Sequence, residues 1–421
     1  MAGCGGGAAS TAPRAGTSSS SGSPTASAGA RSRSGKYTPT RQDFRDVAQT
    51  LADRARAIRA RDLSAFMATV DRSNHTLVSR QRTLFSNMAA LPLASLHYAM
   101  DKTDALVPAK VAGHDPVLRP EITEFLRLAG SLDRPVTNAI DETFVERGRR
   151  WVLGAEAADG SSGQEVQWRP WGGPPISTMR SGDMTLLIDR SRSSELPSLA
   201  RAIHDDIAFD AAHLGVPASY QVVVDATSTG GATTFSSLSK EEAAAVTFGL
   251  VEGTLDMPAL GHLAGLAIKV NPHNAVQVTQ STPVLRHELT HYLLRPYSKT
   301  SPIWLSEGIA TWVQYYPDSF AGLRVPPDLY DRLLHADRTL PSIGLFNISP
   351  DVNYIVSQAA VTWLVSHYGM PKLLELMRAY RAGYRDANVD ALTPRMLHQV
   401  YGVSEKQVVD GAFGLIASFQ H

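Results

Sequence analysis

The chain has 421 residues, with 40 Lys+Arg against 40 Asp+Glu, 43% apolar residues and 19% charged ones. Zero net charge argues against a nucleic-acid partner, whose phosphates call for a basic excess. No apolar run is long enough to span a membrane as a helix, and the single cysteine, Cys4, excludes a disulfide framework or a Cys-rich metal site. At roughly 150 residues per domain, the length fits two or three domains.

Residues 1–36 are almost wholly Gly, Ala, Ser, Thr, Pro and Arg. So little apolar surface cannot offset the entropy of ordering, which predicts a disordered tether. The start, Met1-Ala2-Gly3-Cys4-Gly5-Gly6-Gly7, resembles the end of a bacterial lipoprotein signal peptide, in which small residues precede a lipidated cysteine and a flexible linker follows. The resemblance implies a membrane tether through lipidated Cys4 and an extracytoplasmic location, membrane-anchored or secreted.

From about Arg41 the pattern becomes helical, with Phe44, Val47, Leu51, Ala55 and Ile58 at three-to-four spacing. A second short helix is expected over 63–70. Strand-like runs follow at 95–100, 121–128, 136–145 and 150–155, the last two joined by the turn Glu146-Arg147-Gly148-Arg149. A helical pair followed by a curved antiparallel sheet resembles the nuclear-transport-factor-like cone fold over 41–160. No catalytic constellation stands out in it, so a packing, inhibitory or positioning module is expected. Residues 161–182, rich in Gly, Pro and Ser, read as a linker, with Trp168 and Trp171 pinning it to a neighbour.

Beyond the linker, strands are expected at 184–188, 220–224 and 266–270, a helix at 196–214, and mainly helix after 282. Strands first and helices afterwards give an α+β fold for 183–421.

Residues 285–294 read Leu285-Arg286-His287-Glu288-Leu289-Thr290-His291-Tyr292-Leu293-Leu294 and contain His-Glu-x-x-His. Thr282 is expected to cap this helix, Pro283 to open it and Pro296 to stop it. Positions four apart share a helix face, so His287 and His291 can aim two imidazoles at one ion. Glu288 stands about 100° round the axis, suited to taking a proton from metal-activated water. Zinc accepts imidazole and carboxylate ligands, and a catalytic zinc uses three of them and leaves one position open. A third ligand comes from Ser301-Pro302-Ile303-Trp304-Leu305-Ser306-Glu307-Gly308-Ile309-Ala310, a helix with Ser301 as expected cap. Glu307 there is costly among apolar neighbours unless it is paired or metal-bound, and Gly308 admits a close backbone.

His-Glu-x-x-His followed by Trp-Leu-x-Glu-Gly-x-Ala resembles the gluzincin zinc metallopeptidases, the aminopeptidase N and thermolysin group, over 183–421. The resemblance implies a zincin-like domain that binds Zn2+ through His287, His291 and Glu307, with Glu288 as general base, acting on a peptide or protein substrate. The fifteen residues between His291 and Glu307 make a shorter gap than aminopeptidase N relatives have. No Gly-x-Met-x-Asn motif precedes the helix, so aminopeptidase action is not carried over. A tyrosine at the start of a later helix donates to the tetrahedral intermediate in this family. Tyr354, in Asn353-Tyr354-Ile355-Val356-Ser357, matches that place, and Tyr297, Tyr315 and Tyr316 are weaker candidates.

The strand at 265–270 is expected to lie at a sheet edge and receive substrate as an added strand. His97, His204, His262 and His273 lack ligand spacing. The alternative function is a tethered extracytoplasmic binding protein with a vestigial zinc site. A structural envelope component, or a latent enzyme with residues 41–160 over its cleft, would fit the same motifs.

Overall fold

The computed structural model describes residues 39–100, 117–156, 168–228, 245–252, 262–271, 282–297, 300–317, 325–384 and 388–418. The predicted tether, Cys4, His273 and residues 161–167 of the predicted linker lie outside them. The architecture is α+β, as expected, with two five-stranded sheets.

Helix α1 (Arg41–Ala60) starts where Thr40 and Asp43 form a reciprocal capping box and stops at Arg61 in the left-handed region. It packs with α2 (Leu63–Met67) and with α3 (His75–Ala90), which the sequence pattern does not announce. The first sheet follows as β1 (Leu93–Met100), β2 (Val117–Leu118), β3 (Glu121–Leu128), β4 (Val136–Arg147) and β5 (Arg150–Glu156). The pairs β1/β3, β3/β4 and β4/β5 are antiparallel, and β2 and β3 lie on β4 in one register, Leu118 opposite Phe144 and Glu121 opposite Asp141. Arg54 is buried inside this layer and donates to Thr69 and Gln81.

The second sheet runs β6 (Ile176–Ser181), β7 (Met184–Asp189), β8 (Val223–Ala226), β10 (His262–Val270), β9 (Ala245–Glu252). The inner pairs β7/β8 and β8/β10 are parallel, and both outer pairs are antiparallel. Two expectations are corrected here. Residues 176–181, read as linker, form edge strand β6. The Asn87 side chain on α3 enforces this by donating to the carbonyls of Trp171 and Pro174 at 3.1 and 3.0 Å and accepting from Ile176 N at 3.0 Å. The strand at 265–270 is not an edge: it belongs to β10, held between β8 and β9, and β9 is the edge. Trp171 is fully buried, and Trp168 Nε1 donates to Asp225 at 3.1 Å, so both tryptophans fasten this segment.

Strand alternation gives the second sheet two buried faces. Leu186, Ile188, Val224, Ala226, Ile268 and Val270 face the helices that follow. Leu187, Val223, Leu250, Ala264 and Ala267 join the core of α1–α3 and the first sheet. Gly265 marks the closest approach between layers, since a Cβ there would stand 2.6 Å from Leu132 Cδ2. Among the described residues the N-terminal layer therefore packs on one face of the second sheet and the helical layer on the other.

The helical layer comprises α4 (Leu196–Leu214), α5 (Thr282–Leu293), α6 (Ile303–Tyr315), α7 (Pro327–Leu334), α8 (Ile343–Phe346), α9 (Pro350–Tyr368), α10 (Met370–Gly383), α11 (Thr393–Tyr401) and α12 (Glu405–Ala417). Ser301 does not cap α6: the chain is still extended at Pro302, the N-cap, and the Ser301 hydroxyl is buried without a partner. Gly308 lets α6 touch α9 backbone to backbone, because a Cβ would meet the Ser357 carbonyl oxygen at 2.5 Å and Val361 Cγ2 at 2.7 Å. Neither contact can yield cheaply in a packed core. Gly308→Ala is expected to destabilise the fold by about 1–3 kcal/mol, read by denaturant titration.

Candidate metal centre

Helix α5 is buried on several sides at once. Leu285, Leu289 and Tyr292 enter the helical core, while Arg286 and Thr290 reach α4. Arg286 Nε donates to Asp206 at 3.0 Å with its guanidinium over the Phe209 ring at 3.7 Å, and Thr290 Oγ1 donates to Asp210 at 3.4 Å. These contacts come one residue before each histidine, so bracing of α5 by α4 fixes its rotation.

That rotation aims His287 and His291 at α6. Their Nε2 atoms are 3.2 Å apart, and Glu307 Oε2 lies 3.3 Å from each. The three predicted ligands thus converge, and Glu307 is buried in the middle of α6 as its position suggested. Zinc bonds of about 2.0–2.1 Å arranged tetrahedrally separate their ligand atoms by about 3.3 Å, so the triangle matches three corners of such a site. The chemistry of the donor set also fits. His287 Nδ1 lies 3.1 Å from Gln314 Oε1, an acceptor, so the ring proton is held at Nδ1 and the Nε2 lone pair faces the cluster.

Electrostatics show what the cluster lacks without a cation. Burial works against a charged His291 ring, but the neighbouring Glu307 charge outweighs it, with help from Glu288, and lifts the pKa to about 9. Burial would also raise Glu307, yet the His291 charge, with both rings close by, holds its carboxyl well below the usual range. Three lone-pair donors at this spacing repel unless a positive charge stands among them.

Glu288, one residue beyond the first ligand, is fully buried, and its Oε2 accepts from Thr247 Oγ1 on β9 at 2.7 Å. Tyr354 lies in the second turn of α9, with its ring 6.0 Å from the His287 ring and 4.9 Å from Phe346. The structure thus brings Tyr354 beside the cluster. The weaker candidate Tyr316 instead packs against Trp312 and His213. His97 stacks on Phe125 and His204 on Tyr220, away from the centre. Gln314 and Thr247 are not among the residues expected from the sequence. Gln314 was within reach of it, lying two helical turns beyond Glu307 on the same face of α6.

No protein-family model, curated protein or solved structure matches this chain.

Two outcomes are expected. A partner of this kind tunes metal affinity by roughly 10–100-fold, so Gln314→Ala should weaken zinc binding by that factor in competition with a chromogenic chelator, with the fold intact. The second concerns Asp210, which burial and the nearby Asp206 charge raise to about 9 from 3.8. A carboxyl raised on folding contributes stability that is complete below its unfolded value and fades as pH rises through its folded one. In the presence of a chelator, Tm should therefore fall between about pH 4 and pH 9, and Asp210→Asn should flatten that fall; an unchanged slope counts against it.

Proposed function

We propose that this chain is a zinc-dependent metallopeptidase that hydrolyses peptide bonds in a peptide or protein substrate through a metal-activated water. One observation carries the reading: two imidazole nitrogens and a carboxylate oxygen form a triangle of 3.2–3.3 Å edges, with a buried carboxylate on the very next residue of the same helix. The order His-Glu-x-x-His helix, then Glu helix, beside a sheet whose antiparallel edge is β9, supports assigning residues 183–421 to a zincin-like fold of the gluzincin kind. Helices α1–α3 with the meander β1, β3, β4, β5 support a nuclear-transport-factor-like reading of the N-terminal layer.

His287, His291 and Glu307 would hold the ion. Zn2+, when bound, supplies a Lewis acid that polarises the scissile carbonyl and lowers the pKa of water. Glu288 accepts the proton of the attacking water and delivers it to the departing amine. Burial keeps this carboxylate away from competing solvent. The Tyr354 phenol donates to the developing oxyanion. An extended substrate would add to the outer side of β9, beside α5, through main-chain hydrogen bonds.

The working location in this proposal is extracytoplasmic, through a lipid on Cys4. Among the described residues no helix is long and apolar enough to cross a membrane.

The test is cleavage of a peptide library by the zinc-loaded protein. Glu288→Gln is expected to retain zinc and lose hydrolysis by about 10²–10⁴-fold, the usual contribution of a positioned acid–base group. His287→Ala is expected to lose the metal itself, measured by elemental analysis. Full activity in Glu288→Gln overturns the role given to Glu288, and no chelator-sensitive cleavage by the wild type overturns the reading in favour of a binding protein.

A further inference from the structure

We propose that Thr247 is a positioning residue for the Glu288 carboxylate, held in place by the N-terminal layer through strand β9. Its catalytic consequence rests on the peptidase reading above; the contact itself does not. Thr247 Oγ1 stands 2.7 Å from Glu288 Oε2 and 3.1 Å from the Glu288 main-chain oxygen. Both are acceptors, so the hydroxyl donates, and its single proton goes to the nearer carboxylate oxygen. A charge-assisted bond of this length fixes the plane of a side chain that otherwise has three rotatable bonds.

Thr247 is itself fixed from two directions. Along its inner edge, β9 is zipped to β10 from Ala245 opposite Val270 to Glu252 opposite His262. On the face turned away from α5, Leu250 is buried in the core of the N-terminal layer and Phe248 packs against it. Alternation then puts Thr247 on the α5 side while its neighbour Phe248 serves the other layer. Strand β9 therefore cannot slide or tilt without opening the core beneath it. The described part of the N-terminal layer thereby braces the general base through the sheet.

Thr247→Val keeps the β-branch and removes the donor, whereas Thr247→Ser keeps the donor and removes the methyl group. In the full chain loaded with zinc, Thr247→Val is expected to lower kcat about tenfold, with KM and zinc content within about twofold of wild type, and Thr247→Ser to retain kcat. A second readout does not depend on turnover: the side-chain carboxyl 13C resonance of Glu288, assigned by its loss in Glu288→Gln, is expected to move in Thr247→Val and stay in Thr247→Ser. An unmoved resonance in Thr247→Val overturns the proposal whatever the activity. So does an unchanged kcat in that variant when the wild type cleaves. A moved resonance in a wild-type background that cleaves nothing leaves the positioning contact standing and removes the peptidase reading.

Discussion

Everything at the candidate centre follows from forcing three electron-pair donors together away from bulk water. Such groups spread apart when they can. Here they cannot, because each is mounted on a helix whose place is set by contacts elsewhere: α5 by the pair Asp206 and Asp210, and α6 by the bare backbone of Gly308 against Ser357. The side chains are then left to find a positive charge. The neighbouring charges push His291 up and Glu307 down, the direction in which a positive charge among the three groups is favoured. A divalent cation would satisfy the same demand with all three lone pairs used.

The second sheet carries the candidate centre on one side and its support on the other. Successive residues of β9 alternate between Thr247, bonded to Glu288, and Phe248, packed on the N-terminal core. A parallel centre buried on both faces is ordinary in mixed sheets. What is particular here is that the second cover is an α+β layer with a core of its own, joined through Gly265 against Leu132 and through the Asp133 N–H donating to the Ala264 carbonyl at 3.1 Å.

Much of this was legible in the residues because several local signals agreed. Helix α4 runs Leu196–Leu214 and β3 runs Glu121–Leu128, with the bounds that the sequence pattern gave them. The pairing of His287 and His291 was legible because spacing alone places i and i+4 together on a helix. Elements that escaped lacked a clean period. Helix α3 buries Gln81 and Asn87 among Leu77, Leu84, Phe85 and Met88, so its inward face does not look apolar. Strand β6 buries only Ile176 fully and hangs on the Asn87 amide, a contact 89 residues away in sequence. Strand β9 follows a Glu-Glu-Ala-Ala-Ala run that favours helix, and Gly249 interrupts its side chains. Which strand formed the edge was settled by pairing across the sheet, which no local pattern records. The Ser301 cap failed by a shift of one residue, within the usual uncertainty of helix ends.

The shared core beneath the second sheet bears on how the protein can be divided. Leu187, Val223, Leu250, Ala264 and Ala267 reach their buried state only because α1–α3 and the first sheet cover them. A fragment excised at residue 183 would turn this greasy underside to solvent and lose β6, its outermost strand on that flank. The two halves therefore meet across a buried apolar surface, and separating them would leave that surface without its cover.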